Sequence, residues 1–347
     1  MSSTILERVQ VNGTPLIEKD VATFVWVGER APFLIGDFTG GEDGDPAILA
    51  KVEPGIWTYK LALPPNAYIE YAFIDQGQRL EDSYNPNLTS NGMGKYNHYF
   101  YMPEGKPTPL MQPSPETPHG QVERKEILAQ GFLSLGRRGL YFYQPPTPDP
   151  VPLIVVWDGS DYLQRASLAA IMDALIAERR IQPAALVLVD NGGANRTLEY
   201  ACSDITLGFL LTEVLPLAEQ QLNLLDIHAH PGAYAVMGAS MGGLMALYAG
   251  LRLPHIFGKV LSQSGAFAFG EYDTVSFDLV RDGPQRPIRI WMDVGLYDMP
   301  TLLTANRRMH SLLESRGSPV AYREYNGGHN YPAWRDDLWR GLEYLFA

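Results

Sequence analysis

Gly238-Ala239-Ser240-Met241-Gly242-Gly243 sets a serine between two glycines, each two residues away. A serine hydroxyl becomes an effective nucleophile when a sharp turn presents it at a helix N-terminus, within reach of a histidine base. The flanking residues fit that geometry. Ala233-Tyr234-Ala235-Val236-Met237 is apolar and of strand length, and Leu244-Met245-Ala246-Leu247-Tyr248-Ala249 favours helix. Ser240 is therefore expected on a strand-to-helix turn, whose glycines tolerate the backbone strain and let the helix close on the strand.

A seryl nucleophile needs a base, and the base needs a group that orients it. His329 is the candidate base. It follows the glycine-rich Tyr325-Asn326-Gly327-Gly328 at the end of an expected strand, Val320–Tyr325. His228 and His230 sit in a loop, His255 follows a helix end, His310 lies within a helix, and His98 and His119 belong to the first part of the chain. Asp298, in Val294-Gly295-Leu296-Tyr297-Asp298, is the candidate acid, and Asp293 on the same strand end is its competitor. Either could instead cap the helix that begins near Thr301. An oxyanion hole requires two converging backbone N–H groups. Met241 supplies one; the second is expected from Asp158-Gly159-Ser160-Asp161, with Ser160 first and Gly159 second. His228 and His230 are two residues apart with no third ligand nearby, so no metal site and no cofactor is implied.

The elements that must position these groups fall into two regions. Short β-rich runs occupy the first: Ala22–Val27, Pro32–Ile35, Ile56–Leu61 and Tyr68–Ile74. Such spacing predicts a small β-sandwich. Pro103, Pro107, Pro109, Pro113, Pro115 and Pro118 then mark an extended linker. Beyond it, Val151–Trp157 and Ala184–Val189 are continuous apolar runs, as buried parallel strands require, and Ile288–Met292 is a third. Helical patterns run over Ser167–Arg180, Ile205–Leu222, Thr301–Ser315 and Pro332–Phe346. The alternation predicts a three-layer α/β domain with a mostly parallel sheet. The expected domains are 1–104, a linker over 105–120, and 121–347.

Of the 347 residues, 46% are hydrophobic and 19% charged, enough apolar material for two cores. A net charge of −12 without any basic run argues against a nucleic-acid partner. Cys202 is the sole cysteine, which excludes an internal disulfide and fits a reducing compartment. The first ten residues lack the features of a secretory signal, and no apolar run approaches the roughly 20 residues that span a bilayer. A cytoplasmic protein with no membrane partner is the expectation. Oligomeric state is left open.

Taken together, these motifs make the chain resemble the esterase D-like branch of the α/β-hydrolases. The branch includes enterochelin (ferric siderophore) esterases, feruloyl esterases and mycolyltransferases. The resemblance rests on Asp158-Gly159, on Gly238–Gly243, on Gly327-Gly328-His329 followed by Trp334, and on Arg196-Thr197-Leu198-Glu199-Tyr200 followed by Glu213-Val214-Leu215-Pro216. It covers Gln121–Ala347. It implies an α/β-hydrolase sandwich, triad order serine, acid, histidine, and an acyl-enzyme mechanism on a small-molecule ester. It also implies that Arg196, Glu199 and Trp334 border the substrate, against the competing reading of Arg196 and Glu199 as an i, i+3 ion pair. Gly36-Asp37-Phe38-Thr39-Gly40, Gly55-Ile56-Trp57 and Asp82-Ser83-Tyr84-Asn85-Pro86 resemble the early-set, immunoglobulin-like sandwiches that precede enterochelin esterases. There Trp57 is expected in the sandwich core rather than on a sugar.

The two-domain layout implies hydrolysis of a siderophore lactone inside the cell. Sugar-linked esters of feruloyl or acetyl-xylan type are the alternative substrates, and an inactive carbohydrate-binding protein is the alternative class. One departure bears on the siderophore reading. A large anionic catecholate would favour basic residues near the cleft, and the second domain is rich in neither Lys nor Arg, although Arg137, Arg138, Arg196 and Arg335 are available.

Overall fold

The computed structural model describes residues 4–41, 44–92, 94–128 and 136–347. They form two compact units. One comprises residues 1–106 with two later segments, Gly295–Pro300 and Tyr325–Ala333; the other comprises Pro107–Val294, Thr301–Glu324 and Trp334–Ala347.

The second unit carries an eight-stranded sheet. Its strands are β1 (Gln121–Leu128), β2 (Arg137–Gln144), β3 (Leu153–Trp157), β4 (Ala185–Val189), β5 (Tyr234–Ala239), β6 (Phe257–Gln263), β7 (Arg289–Gly295) and β8 (Val320–Tyr325), in the order 1-2-4-3-5-6-7-8. β1 and β2 are antiparallel, β2 meets β4 antiparallel, and β4, β3, β5, β6 and β7 run parallel. Every residue of β3, β4 and β5 is buried, which explains their unbroken apolar sequence. The helix Met241–Arg252 is buried from Met241 to Leu251 and shows no amphipathic stripe for the same reason.

Two sequence expectations change. The helical pattern over Ile205–Leu222 is broken into α-helix Asp204–Phe209, a π-helical turn Leu210–Val214, and α-helix Leu215–Gln221. Pro216 lacks the N–H that a continuous helix needs, and the wider turn before it absorbs the mismatch. The proline-rich stretch is not a free linker from Pro107 onward. Leu110 is buried, the Thr108 N–H donates to Asp336 Oδ1 at 3.0 Å, and the Gly120 N–H donates to Asp173 Oδ1 at 2.8 Å.

In the first unit, a four-stranded antiparallel sheet contains Val21–Val27 and Ile56–Ala62, and a second sheet contains Phe33–Gly36, Tyr68–Asp75 and Tyr96–Tyr101. Alternating residues from both build one aromatic core. Phe24 meets Tyr71, Phe38 and Phe100 with ring centroids 4.9, 5.3 and 5.7 Å apart. Trp57 packs at the edge of this core and donates Nε1–H to the Gly28 carbonyl at 3.0 Å.

A close main-chain approach lies at the end of β5. A Cβ on Gly238 would stand 2.5 Å from the carbonyl carbon of Gly242, so strand and helix touch backbone to backbone. Gly238→Ala is expected to destabilise the protein by at least about 1–3 kcal/mol, the usual cost of overpacking. A lowered midpoint in urea unfolding checks this, and an unchanged midpoint would show that the turn can relax.

Candidate active site

Ser240 follows β5 directly, at φ 58° and ψ −122°, a conformation that L-residues rarely adopt. Three backbone hydrogen bonds hold it there. Its N–H donates to the Gln263 carbonyl at 2.8 Å, and its own carbonyl accepts from Leu244 at 3.1 Å and Ala266 at 3.0 Å. The helix starting at Met241 thus begins at the serine, and the Met241 N–H is one of the first-turn donors without an intrahelical acceptor.

The second expected oxyanion donor needs correcting. The Ser160 N–H donates to Asp190 Oδ1 at 2.8 Å and is committed to that carboxylate. Gly159 remains as the first residue of the helix Gly159–Gln164, packed so closely on the Leu188–Val189 backbone that a Cβ would stand 2.6 Å from it.

Asp158 and Arg196 form a bonded pair beneath the elbow. Asp158 is buried; its Oδ1 accepts from Arg196 Nε at 2.7 Å and from Asn191 Nδ2 at 2.7 Å, and its Oδ2 accepts from Arg196 Nη2 at 2.6 Å. Such a fork is a strong, orienting contact. It sets the guanidinium 5.3 Å from the Tyr200 ring centre and Nη2 3.4 Å from the Ala239 carbonyl, the residue before the nucleophile. Of the two readings of this segment, the hydrogen bonds give Arg196 to Asp158 and Glu199 to Arg138. Glu199 is buried and accepts from Arg138 Nη2 at 2.5 Å, inside the fold rather than toward a substrate. Trp334 is also corrected: it is buried, donating Nε1–H to Ser264 Oγ at 3.0 Å, with its carbonyl accepting from Gln263 Nε2 at 3.1 Å.

His329 and Asp298 lie together in the first unit, on its two late segments. His329 Nδ1 is 2.9 and 3.1 Å from the two Asp298 oxygens, and Asp298 Oδ1 also accepts the Met299 N–H at 2.7 Å. A carboxylate on Nδ1 fixes that nitrogen as the donor and leaves Nε2 as the basic nitrogen. The segments are bonded to each other: the Leu296 N–H donates to the Tyr325 carbonyl at 2.8 Å and the Tyr297 N–H to the Gly327 carbonyl at 3.0 Å. Asp293 is turned elsewhere, accepting from Trp291 Nε1 at 2.8 Å and Gln263 Nε2 at 3.3 Å. Complete burial, reinforced by Asp337, pushes its carboxyl well above the usual range.

A cavity of about 320 Å³ opens beside His329, lined by Asp37, Glu70, Arg79, Asn97, Tyr297 and Asn330 among others. Sequence reasoning missed Asp37, Glu70 and Asn330 as members of the site. Gly36-Asp37 was readable only as a sandwich mark, and nothing local ties residue 37 to residue 330.

A nucleophile elbow on a sheet of order 1-2-4-3-5-6-7-8 defines an α/β-hydrolase. Residues 135–345 match the family described as "Putative esterase", and the chain belongs to that esterase family. It is 33% identical over 216 residues to an iron(III) enterobactin esterase from Dickeya dadantii, covering 58% of this chain and 49% of that protein. An iron(III) enterobactin esterase from Escherichia coli K12 is 27% identical over 275 residues, 76% of this chain and 67% of the relative. Among solved structures, ferric enterobactin esterase from Salmonella typhimurium superposes with a TM-score of 0.80 at 23% identity, over 95% of both chains. This chain therefore spans about half of the Dickeya protein's length and shares both fold regions of the Salmonella structure.

Two carboxylate substitutions separate the candidates for the acid. Asp298→Asn should lower kcat by about 10³–10⁴, the loss seen when a histidine loses its orienting carboxylate, while Asp293→Asn leaves kcat within about threefold of wild type, well short of that loss. Ester turnover by the two purified variants decides it, and the reverse ranking would exchange the roles. Asp293 also predicts a pH effect on stability. Its carboxyl holds a proton more tightly folded than unfolded, so stability is lost as pH rises above about 4, the unfolded carboxylate value. Asp293→Asn should flatten that decline in melts taken between about pH 5 and 8.

Proposed function

We propose that the protein is a serine carboxylic-ester hydrolase with Ser240 as nucleophile, His329 as base and Asp298 as orienting acid. The observation that carries this reading is the His329–Asp298 hydrogen bond at 2.9 Å, in a chain where a strained strand-to-helix serine, Ser240, begins a buried helix. Ser240 Oγ adds to the ester carbonyl carbon while its proton passes to His329 Nε2. The oxyanion is met by the Met241 N–H and the positive end of its helix, with the Gly159 N–H as second donor in place of Ser160. Collapse of the intermediate expels the alcohol, which takes the proton from His329, and an acyl-serine remains. Water then adds by the same route and releases the acid.

For the substrate, the relatives named as iron(III) enterobactin esterases support a siderophore-type ester, any iron being cargo of the substrate. A sugar-linked or otherwise hydroxyl-rich uncharged ester is the second reading, and a specific observation favours it. The four arginines singled out in the second region are all bonded to carboxylates: Arg137 to Glu126, Arg138 to Glu199, Arg196 to Asp158 and Arg335 to Asp336. The cavity beside His329 adds two carboxyls, several side-chain amides and the Arg79 guanidinium, itself bonded to Asn97 and the Tyr96 carbonyl, a set that suits hydroxyl and amide partners.

Hydrolysis of p-nitrophenyl butyrate by wild type and by Ser240→Ala tests the reaction. The variant should lose at least about 10³-fold in kcat with an unchanged melting temperature. Persistent turnover in the variant, or none in folded wild type with any ester offered, would sink the esterase reading. A catecholate trilactone assayed beside a feruloylated sugar then ranks the two substrate classes.

A further inference from the structure

We propose that Asp37 is a positioning residue for the base, holding the two residues that flank His329. The inference rests on His329 being that base. Asp37 begins the turn that follows the strand Phe33–Gly36. Gly40 and Gly41, at φ 80° and 83°, close the turn, with N–H groups donating to the Asp37 and Gly36 carbonyls at 3.1 Å each. This leaves the carboxyl facing inward, where Oδ2 accepts the Glu70 N–H at 2.8 Å.

The same carboxyl reaches both sides of His329. Asn330 Nδ2 lies 3.4 and 3.3 Å from the two Asp37 oxygens, a shared hydrogen bond. Gly328 packs flat on the side chain: a Cβ there would run into the Asp37 carboxyl group, so only glycine fits. Asn330 is fixed in turn, since its Oδ1 accepts the Ala333 N–H at 3.0 Å. The imidazole is thus oriented by Asp298, and its backbone is braced by Asp37.

Two further observations argue for more than structural glue. The start of the loop is already tied without Asp37, because the Tyr68 N–H donates to the Asn326 carbonyl at 2.9 Å and the Asn326 amide bonds to Asn66 at 2.6 Å. An acid is also an unfavourable choice for this place. Asp37 is half-buried beside the Glu70 and Asp298 carboxylates, and its carboxyl is raised well above the usual range, first by desolvation and then by Glu70. An apolar residue would fill the space at lower cost in desolvation but could not hold Asn330.

The test is steady-state turnover of p-nitrophenyl butyrate by Asp37→Ala, Asp37→Asn, and the exchange Asp37→Asn with Asn330→Asp. Misplacing a catalytic group by about 1 Å can cost about 100-fold, so Asp37→Ala should lose 10- to 100-fold in kcat with KM within about threefold. Asp37→Asn sets one amide against another and should also fall. The exchange restores a donor facing an acceptor, and the amide carbonyl introduced at position 37 still accepts from the Glu70 N–H. It should return kcat to within about threefold of wild type. Single variants that melt lower yet keep full kcat would overturn the proposal. So would an exchange variant that folds but stays as slow as Asp37→Asn. If Asp37→Ala does not fold, the comparison of Asp37→Asn with the exchange decides alone. Turnover that survives Ser240→Ala would instead overturn the esterase reading, and this proposal with it.

Discussion

The backbone contact between Gly238 and Gly242 is the constraint on which the second unit's chemistry depends. The helix start can close on the strand at that distance only if residue 238 carries no side chain, since a Cβ there would stand 2.5 Å from the Gly242 carbonyl carbon. The contact forces the chain to reverse within one residue, and Ser240 takes the strained dihedrals that result. Strain of this kind costs about 1–3 kcal/mol and persists only where its surroundings over-determine it. Here the surroundings are the edge of β6: Gln263 and Ala266 hold both polar groups of the Ser240 backbone. A β-branched residue at position 238 would remove the close contact and relax the turn, and the hydroxyl would then lose its place at the helix start.

Around this point, charge is used for rigidity. Two ion pairs tie the segments that follow β3 and β4, Asp158 with Arg196, and Glu199 with Arg138 on β2; Asp158, Arg138 and Glu199 are buried in them. Buried ion pairs are weak contributors to net stability, because desolvation offsets the attraction, but removing one partner is severe. Their value is geometric. A guanidinium held by two parallel bonds has a single orientation, and loops bonded in this way keep their shape when substrate enters and leaves. Each arginine committed in this manner is also withdrawn from recognition. Charge that braces the fold cannot serve twice.

How much of this was readable beforehand follows from the distance over which each signal acts. Local signals were reliable. β8 spans the expected Val320–Tyr325, and the helix over Pro332–Phe346 is displaced by one residue at its start. The serine turn was readable because glycine spacing and the apolar strand before it are contiguous. The capping box at the first helix, Thr4-Ile5-Leu6-Glu7, was equally local and was overlooked, although its reciprocal bonds are formed at 3.2 and 2.9 Å. What could not be read was pairing across the chain. Arg196 has Glu199 as its helical neighbour and Asp158 as its actual partner, and only the packing of separate loops decides between them. Trp334 and Asp37 misled for the same reason. A tryptophan near a histidine in sequence says nothing about which way its ring faces, and an aspartate in a turn does not announce a partner some 290 residues away.

The membership of the first unit bears on how the protein is made. Chains are synthesised from the N-terminus and tend to fold in that order. Residues 1–106 emerge first and can close their aromatic core early. Yet the segments Gly295–Pro300 and Tyr325–Ala333, which complete that unit, are translated only after Pro107–Val294 of the second. The nucleophile turn is therefore available well before the acid–base pair exists. During translation the strained serine turn is thus made before Asp298 and His329, so the proposed nucleophile precedes along the chain the pair proposed to activate it.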